Sequence, residues 1–344
     1  MKEQKFDLND IVLIPSEESD ITSRKECEVI DPDSGMLPLM ASPMDTVVSE
    51  QNYHKFFNNK IIPCIPRGNG DKYMIGENLY FMSIGLCDAE RELRIEEDNF
   101  NYFRAYPNIL IDIANGHMKK LIPIVQEIKR RWPNVTLMVG NVANPETFVN
   151  LGLAGADYVR CSVGTGAGCT TAANVSINYP LGSLISECYE LRKQYALKTK
   201  IVADGGMRNY SDIIKALALG ADYVMIGSIF NKSIESAGFN YLWKIKINNK
   251  IAELLWRYDF PIKKKYRGMS TKAVQRSWGK TELVTAEGIT KYQKVEYTLE
   301  QWTENFKDYL RSAMSYCNAK TLDEFIGKAQ YIFITDAARK RFEK

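Results

Sequence analysis

Short apolar runs alternate with amphipathic stretches through the middle of the chain. Candidate strands are Ile109-Leu-Ile-Asp-Ile-Ala114, Val135-Thr-Leu-Met-Val-Gly140 and Lys200-Ile-Val-Ala203. Among them, 118–132, 145–153, 181–196 and 210–219 carry apolar residues at the spacing of a helix with one buried face. Within this alternation the chain repeats itself. Gly155-Ala-Asp-Tyr-Val159 returns 65 residues later as Gly220-Ala-Asp-Tyr-Val224. Each copy follows an amphipathic stretch and leads into a short apolar run, which reads as helix, glycine cap, then a strand entering a core. Nearly continuous apolar strands separated by helices predict parallel strands covered by helices. The repeat suits a single (β/α)8 TIM barrel over 1–344. A doubly wound open sheet is the alternative, but no Gly-x-Gly-x-x-Gly opens a helix after the first strand.

Polar residues gather where these strands end: Asp112 and Asn115, Asn141, Gly164 to Cys169, Asp204 to Gly206, and Gly227-Ser228. Alone, Asp112 or Asp204 reads as a cap or turn residue. Five consecutive strand ends turning polar or glycine-rich mark the face where a barrel carries its site. The stretch 239–260 breaks the rhythm with Tyr241, Trp243, Lys244, Lys246, Lys250 and Trp256. It reads as a β-hairpin insertion with Asn248-Asn249 near its turn. A solvated hairpin is the simpler account of its basic and aromatic residues; a single-stranded nucleic-acid platform is the other. After Glu300 come helical patterns at 301–316 and 322–329, a last strand at 331–334, and a charged, frayed end at 338–344.

The chain has 344 residues, 45% hydrophobic and 25% charged, enough for one large barrel or two ordinary domains. Lys+Arg is 45 and Asp+Glu is 42, so the net charge of +3 demands no nucleic-acid backbone as partner. No apolar run reaches the roughly 18 residues of a membrane span. The first ten residues lack a signal-peptide pattern, so the expected location is the cytoplasm. Seven cysteines spaced singly suggest neither a disulfide framework nor a zinc ribbon. Only two histidines, His54 and His117, are present, and both read as packing or surface residues. Chemistry is left to Cys, Asp, Glu, Thr, Tyr, Lys or Arg.

Gly164-Thr-Gly-Ala-Gly-Cys169-Thr-Thr171 is a glycine-rich loop ending in a thiol with hydroxyls behind it. Glycines let backbone approach a ligand closely, and a thiol so placed is a candidate nucleophile. With this loop stand Ala41-Ser-Pro-Met-Asp-Thr-Val47, Ile111-Asp-Ile-Ala-Asn-Gly116, Gly140-Asn-Val142, Ala203-Asp-Gly-Gly206, Met225-Ile-Gly-Ser228, Tyr266-Arg-Gly-Met-Ser270 and Glu287-Gly288. In this order the eight segments resemble the IMP dehydrogenase / GMP reductase family over nearly the whole chain. The resemblance implies that Cys169 attacks the purine C2 while Thr171 and Glu287 manage the leaving group's proton. It implies that Asp204, Gly205, Gly206, Gly227, Ser228 and Tyr266 hold ribose and phosphate, and that Ser42, Met44, Gly268, Met269 and Ser270 hold the base. Asp112 and Asn141 would face the nicotinamide cofactor. Carbonyls of Gly164, Gly166 and Cys169 would bind potassium, and a homotetramer acting on GMP or IMP, with no nucleic-acid or membrane partner, is implied.

Two absences favour the GMP reductase branch, which uses NADPH. Only 16 residues separate Ser270 from Glu287, so the flap region 271–297 is short and holds Arg276-Ser-Trp278 rather than an Arg-Tyr pair. About 20 residues lie between Pro66 and Cys87, too few for the dehydrogenase's regulatory CBS modules. Ser42-Pro43, Gly227-Ser228, Glu287-Gly-Ile289 and Met314-Ser-Tyr-Cys317 read more like the NAD-dependent IMP dehydrogenase. Ile289 stands where reductases have a lysine on the cofactor phosphate. Ala167 replaces a usual serine, a loss of roughly 1 kcal/mol of hydrogen bonding. A purine-nucleotide-binding paralogue without turnover is the remaining alternative; a thiol aimed at C2 argues against it.

Overall fold

The structure is a computed structural model that describes residues 4–68, 79–95, 100–277, 285 and 287–342. Eight parallel strands close into a barrel: Leu39–Ala41, Ile62–Ile65, Phe81–Ile84, Asn108–Asp112, Thr136–Val142, Tyr158–Cys161, Lys200–Asp204 and Tyr223–Ile226. The first pairs with the eighth, Met40 opposite Met225. The expected (β/α)8 architecture is therefore the observed one, and the open sheet is excluded. Helices Leu121–Arg131, Pro145–Leu153, Leu181–Gln194 and Tyr210–Ala218 lie within two to three residues of the predicted ones.

Local chemistry starts and stops these units. Asn144 accepts the Thr147 amide at 3.0 Å and Pro145 opens the helix behind it; Asn209 does the same for Asp212 at 2.9 Å. Gly155 and Gly220 follow the helices that end at Leu153 and Ala218, with φ of +104° and +119°. The aspartate of each repeat copy then pins its strand to the neighbouring one. Asp157 accepts the Leu137 amide at 2.7 Å and holds Lys129 at 2.8 Å; Asp222 accepts the Ile201 amide at 2.6 Å and pairs with Arg192. The two repeat tyrosines, Tyr158 and Tyr223, meet with ring centroids 5.8 Å apart. The repeat is thus one strand-entry device used twice.

The pleat sorts side chains to two cores. Met40, Ile62, Cys64, Phe81, Leu110, Met138, Val202, Tyr223 and Met225 fill the inside of the barrel. Their neighbours Leu39, Ala41, Ile109, Ile111, Val139, Val159, Ile201 and Ala203 belong to the larger core shared with the helices. Asp112, Arg160 and Asp204 continue the inward series of Leu110, Tyr158 and Val202 toward the C-terminal strand ends. The barrel interior is therefore apolar below and ionic at that end.

Beyond the barrel, Ile11–Leu13 pairs antiparallel with Tyr331–Phe333, tying together two distant parts of the chain. A four-stranded antiparallel sheet follows the eighth barrel strand, in the order Ile245–Ile247, Asn240–Leu242, Ile262–Arg267, Thr290–Lys294. Here two expectations fail. The stretch 239–260 is not one hairpin turning at Asn248-Asn249. Its hairpin turns at Trp243-Lys244, and Asn248 instead caps the helix Asn249–Arg257 by accepting the Ile251 amide at 2.9 Å. Ala252, Leu255 and Trp256, at helical spacing, then pack on Ile234, Ile262 and Val295, which a hairpin could not arrange. Nor is 338–342 irregular: Asp336–Phe342 is helical, with Thr335 accepting the Ala338 amide and an Arg339–Asp336 pair at 3.1 Å, while 343–344 lie outside the described residues. The helix expected to reach 329 stops at Phe325, two residues before Gly327 at φ +69°. Of the flap region 271–297, the helix Lys272–Ser277 and the strand Thr290–Lys294 are seen; 278–284 and 286 lie outside the described residues.

The repeat glycines are distinguishable by what surrounds them. A methyl group at Gly220 would sit 2.5 Å from the Tyr189 ring, whereas one at Gly155 would meet only the flexible Lys129 side chain at 3.2 Å. Both alanine variants incur backbone strain on the order of 1–3 kcal/mol. Gly220→Ala is expected to lose clearly more stability than Gly155→Ala in urea unfolding; equal losses would show that the ring contact does not matter.

Candidate active site

At the C-terminal end of the barrel the strand ends surround a cleft of about 420 Å3, within the range of small-molecule sites. All the residues nominated from the sequence border it. Its lining takes in Ser42 and Met44; Asp112 and Asn141; Gly164, Gly166, Cys169 and Thr171; Asp204, Gly205 and Gly206; Gly227 and Ser228; and Tyr266, Gly268, Met269, Ser270 and Glu287. These come from eight separate stretches of chain, so only the closed barrel brings them together. Asn115 shares a strand end with Asp112 but does not line the cleft; it bonds with His117 instead. His117 in turn accepts the Ala143 amide at 3.0 Å, and burial holds its pKa below the usual histidine value. It ties two strand-end loops together, which fits the packing role expected of it.

Cys169, Thr171 and Glu287 form a hydrogen-bonded relay. Cys169 is half-buried, and its thiol donates to the Thr171 hydroxyl at 3.2 Å. That hydroxyl donates to the Glu287 carboxylate. Backbone pairing assembles the relay across more than a hundred residues. The Thr170 amide donates to the Glu287 carbonyl at 2.8 Å, the Ile289 amide to the Gly168 carbonyl at 3.0 Å, and Cys169 bridges Gly288. The distal end of the flap therefore lies as a short strand along the cysteine loop. The contrast with Cys64 is instructive. Cys64 is fully buried within the barrel, and burial pushes its thiol far above the ordinary range. It is a small core residue, while Cys169 borders open space.

One part of the site is absent from the sequence reading. Arg160 is a buried arginine whose guanidinium reaches Asp112 at 2.6 Å and Asp204 at 2.8 Å. Asn141 donates to the same Asp204 oxygen at 2.6 Å, and Arg67 holds the other oxygen of Asp112 at 3.1 Å. Burial works against the charge on Arg160, but Asp204 and Asp112 outweigh it and its pKa rises further. Register explains how the arginine reaches. Asp112, Gly140 and Arg160 are successive partners across three neighbouring strands. A methyl group at Gly140 would lie 2.5 Å from the Arg160 Cβ, so the glycine leaves the passage over which the guanidinium crosses to Asp112. A visible signal did exist: Arg160 is a charged residue inside the apolar run of Tyr158–Cys161. Gln275, buried, also lines the cleft and donates to the Ser270 carbonyl at 3.2 Å.

The family model described as the IMP dehydrogenase / GMP reductase domain matches residues 105–343. Over 97% of its length the chain is 28% identical to a GMP reductase of Caenorhabditis elegans, covering 93% of that protein. It is 29% identical to a GMP reductase of Staphylococcus carnosus, over 96% of this chain and 97% of that one. It is 31% identical to an inosine-5'-monophosphate dehydrogenase of Chlorobaculum parvum over 67% of this chain, but spans only 45% of that protein.

Removing Arg160 leaves two partly buried carboxylates without their shared cation. Arg160→Met is expected to destabilise the protein by about 3–5 kcal/mol in denaturant unfolding, with Arg160→Lys recovering only part because it loses the two-pronged geometry. A loss well below 1 kcal/mol would show that the aspartates are held by other groups.

Proposed function

The chain belongs to the IMP dehydrogenase / GMP reductase family, and we propose that within it the protein is a GMP reductase, converting GMP to IMP and ammonia at the expense of NADPH. One observation carries the reading. A thiol at a barrel mouth is joined through a hydroxyl to a carboxylate, which suits attack on an electrophilic carbon followed by protonation of the group that leaves. Similarity to GMP reductases along nearly their full length favours this branch. The alternative, oxidation of IMP to XMP with NAD, draws on Ile289 and on the identity to the dehydrogenase.

In the proposed reaction the Cys169 sulfur adds to C2 of the guanine. The C2–N bond breaks, and a proton passed along Glu287 and Thr171 lets the nitrogen leave as ammonia. The base is then bonded to sulfur as a thioimidate. Bound nicotinamide supplies the hydride that reduces C2. Cleavage of the C2–S bond releases IMP and restores the thiol. Ser42, Met44, Gly268, Met269 and Ser270 hold the base, Asp204 the ribose, and Gly205, Gly206, Gly227, Ser228 and Tyr266 the phosphate. The glycines after the seventh and eighth strands lie where barrels commonly take phosphate, which supports that assignment.

Asp112 and Asn141 would serve the cofactor. Arg160 and Arg67 orient the Asp112 carboxylate at the cleft edge, which suits recognition of a hydroxyl pair. The Gly166 carbonyl accepts the Cys169 amide at 2.8 Å and retains a second lone pair, which with the carbonyls of Gly164 and Cys169 would hold a potassium ion and stiffen the loop. We place the protein in the cytoplasm as a homotetramer, without nucleic acid or membrane. Among the described residues no helix is long and apolar enough to cross a membrane. Exposed Trp243, Ile245, Leu254 and Tyr258 on the inserted sheet and helix support self-association.

The test compares two substrate pairs. Incubation with GMP and NADPH is expected to consume the reduced nicotinamide, and incubation with IMP and NAD to produce none. The reverse result would assign the dehydrogenase; nucleotide-stabilised protein inactive with both pairs would assign a binder. Cys169→Ala is expected to abolish turnover while GMP affinity stays within about tenfold of wild type, because the base and phosphate contacts remain. Equal loss of binding would make the cysteine a structural residue.

A further inference from the structure

Lys291 has no assigned task, yet its position is an unusual one for a lysine. It lies on the strand Thr290–Lys294, in register opposite Tyr266. Exposure alternates along this strand, and Lys291 and Gln293 belong to its less exposed face. The same face of the partner strand carries Tyr266 and the fully buried Lys264. Gln293 fixes the strand against the barrel by donating to the Ser228 carbonyl at 3.2 Å and to Asn231 at 2.9 Å. Lys291 extends its ammonium to 5.3 Å from the Tyr266 ring centroid. The hydroxyl of that ring points to Met44 and lies beside Gly227 in the cleft.

Among the described residues no carboxylate pairs with Lys291. The charged group that acts on it is another cation, Lys232, which is itself paired with Glu296 at 3.1 Å. Burial and Lys232 both hold the Lys291 pKa below the usual lysine value. A half-desolvated ammonium next to a like charge costs free energy unless an anion arrives from outside. The anion that belongs beside Gly227, Ser228 and Tyr266 is a phosphate monoester. Across the cleft, Ala167 offers it no hydroxyl.

We infer that Lys291 is a phosphate ligand, recruited from the inserted sheet to hold the 5'-phosphate of the nucleotide substrate from the Tyr266 side. The inference rests on the reading of the cleft as a purine-nucleotide site. Two sources of phosphate monoester are chemically alike, the substrate and the NADPH cofactor, and the position over the Tyr266 ring selects the substrate.

Equilibrium binding of GMP and of guanosine to wild type, Lys291→Met and Lys291→Arg tests this without requiring turnover. GMP affinity is expected to fall about tenfold in Lys291→Met, guanosine affinity to stay unchanged, and Lys291→Arg to restore most of the loss. In steady state, KM for GMP is expected to rise with kcat nearly unchanged and KM for NADPH unaffected. Unchanged GMP affinity would overturn the inference while leaving the function intact. So would a loss confined to NADPH, which would mark the cofactor phosphate, or an equal loss for guanosine, which would mark a packing role. Wild type that binds neither GMP nor IMP would overturn the nucleotide reading itself, and the inference with it.

Discussion

Arg160 sits between two aspartates at the end of the barrel's interior, and the geometry of the cleft follows from that placement. Below it the inward side chains are methionines, aliphatics and aromatics; at its level they are ionic. A buried arrangement of this kind contributes little net stability, because desolvation offsets most of the attraction. Its consequence is positional. One rigid fork fixes the Asp112 and Asp204 carboxylates relative to each other. Gly140 is the condition for it, since any side chain there would stand in the arginine's path. Arg67 and Asn141 take further positions on the same two carboxylates.

The relay from Cys169 through Thr171 to Glu287 is built differently. Its first two members are neighbours in the cysteine loop, and the third arrives on the distal part of the flap. Main-chain hydrogen bonds between that segment and the loop bring the carboxylate into place. A loop rich in glycine at both sides of this contact allows the backbones to lie close. The chain of hydrogen bonds is therefore assembled by a segment that runs on directly into the inserted sheet.

The alternation of strands and helices was readable because its signals are local: in both units that carry the repeat, an asparagine cap, a helix, a glycine stop and an apolar strand follow one another directly. The candidate site was readable through its strand ends and through its resemblance to a known family. What escaped depends on contacts remote in sequence. Arg160 and Arg67 acquire meaning only when the closed barrel brings Asp112 and Asp204, from its fourth and seventh strands, alongside them. Asn248 was misread because asparagine favours both turns and helix starts. The true turn contains Trp243 at φ +53°, which no turn propensity would suggest. The tail helix was missed because a run of charges resembles a solvated end until Thr335 and Asp336 are seen to organise its first turn.

The proposed reaction requires the Cys169 sulfur to become bonded to the purine. Intact-mass measurement after rapid acid quench of the protein with GMP, without any nicotinamide, addresses it directly. The account predicts a fraction of protein heavier by GMP less ammonia, with peptide mapping locating the addition at Cys169 and NADPH discharging it as IMP. Protein that turns GMP over yet carries no adduct, or carries it on another cysteine, would contradict the account.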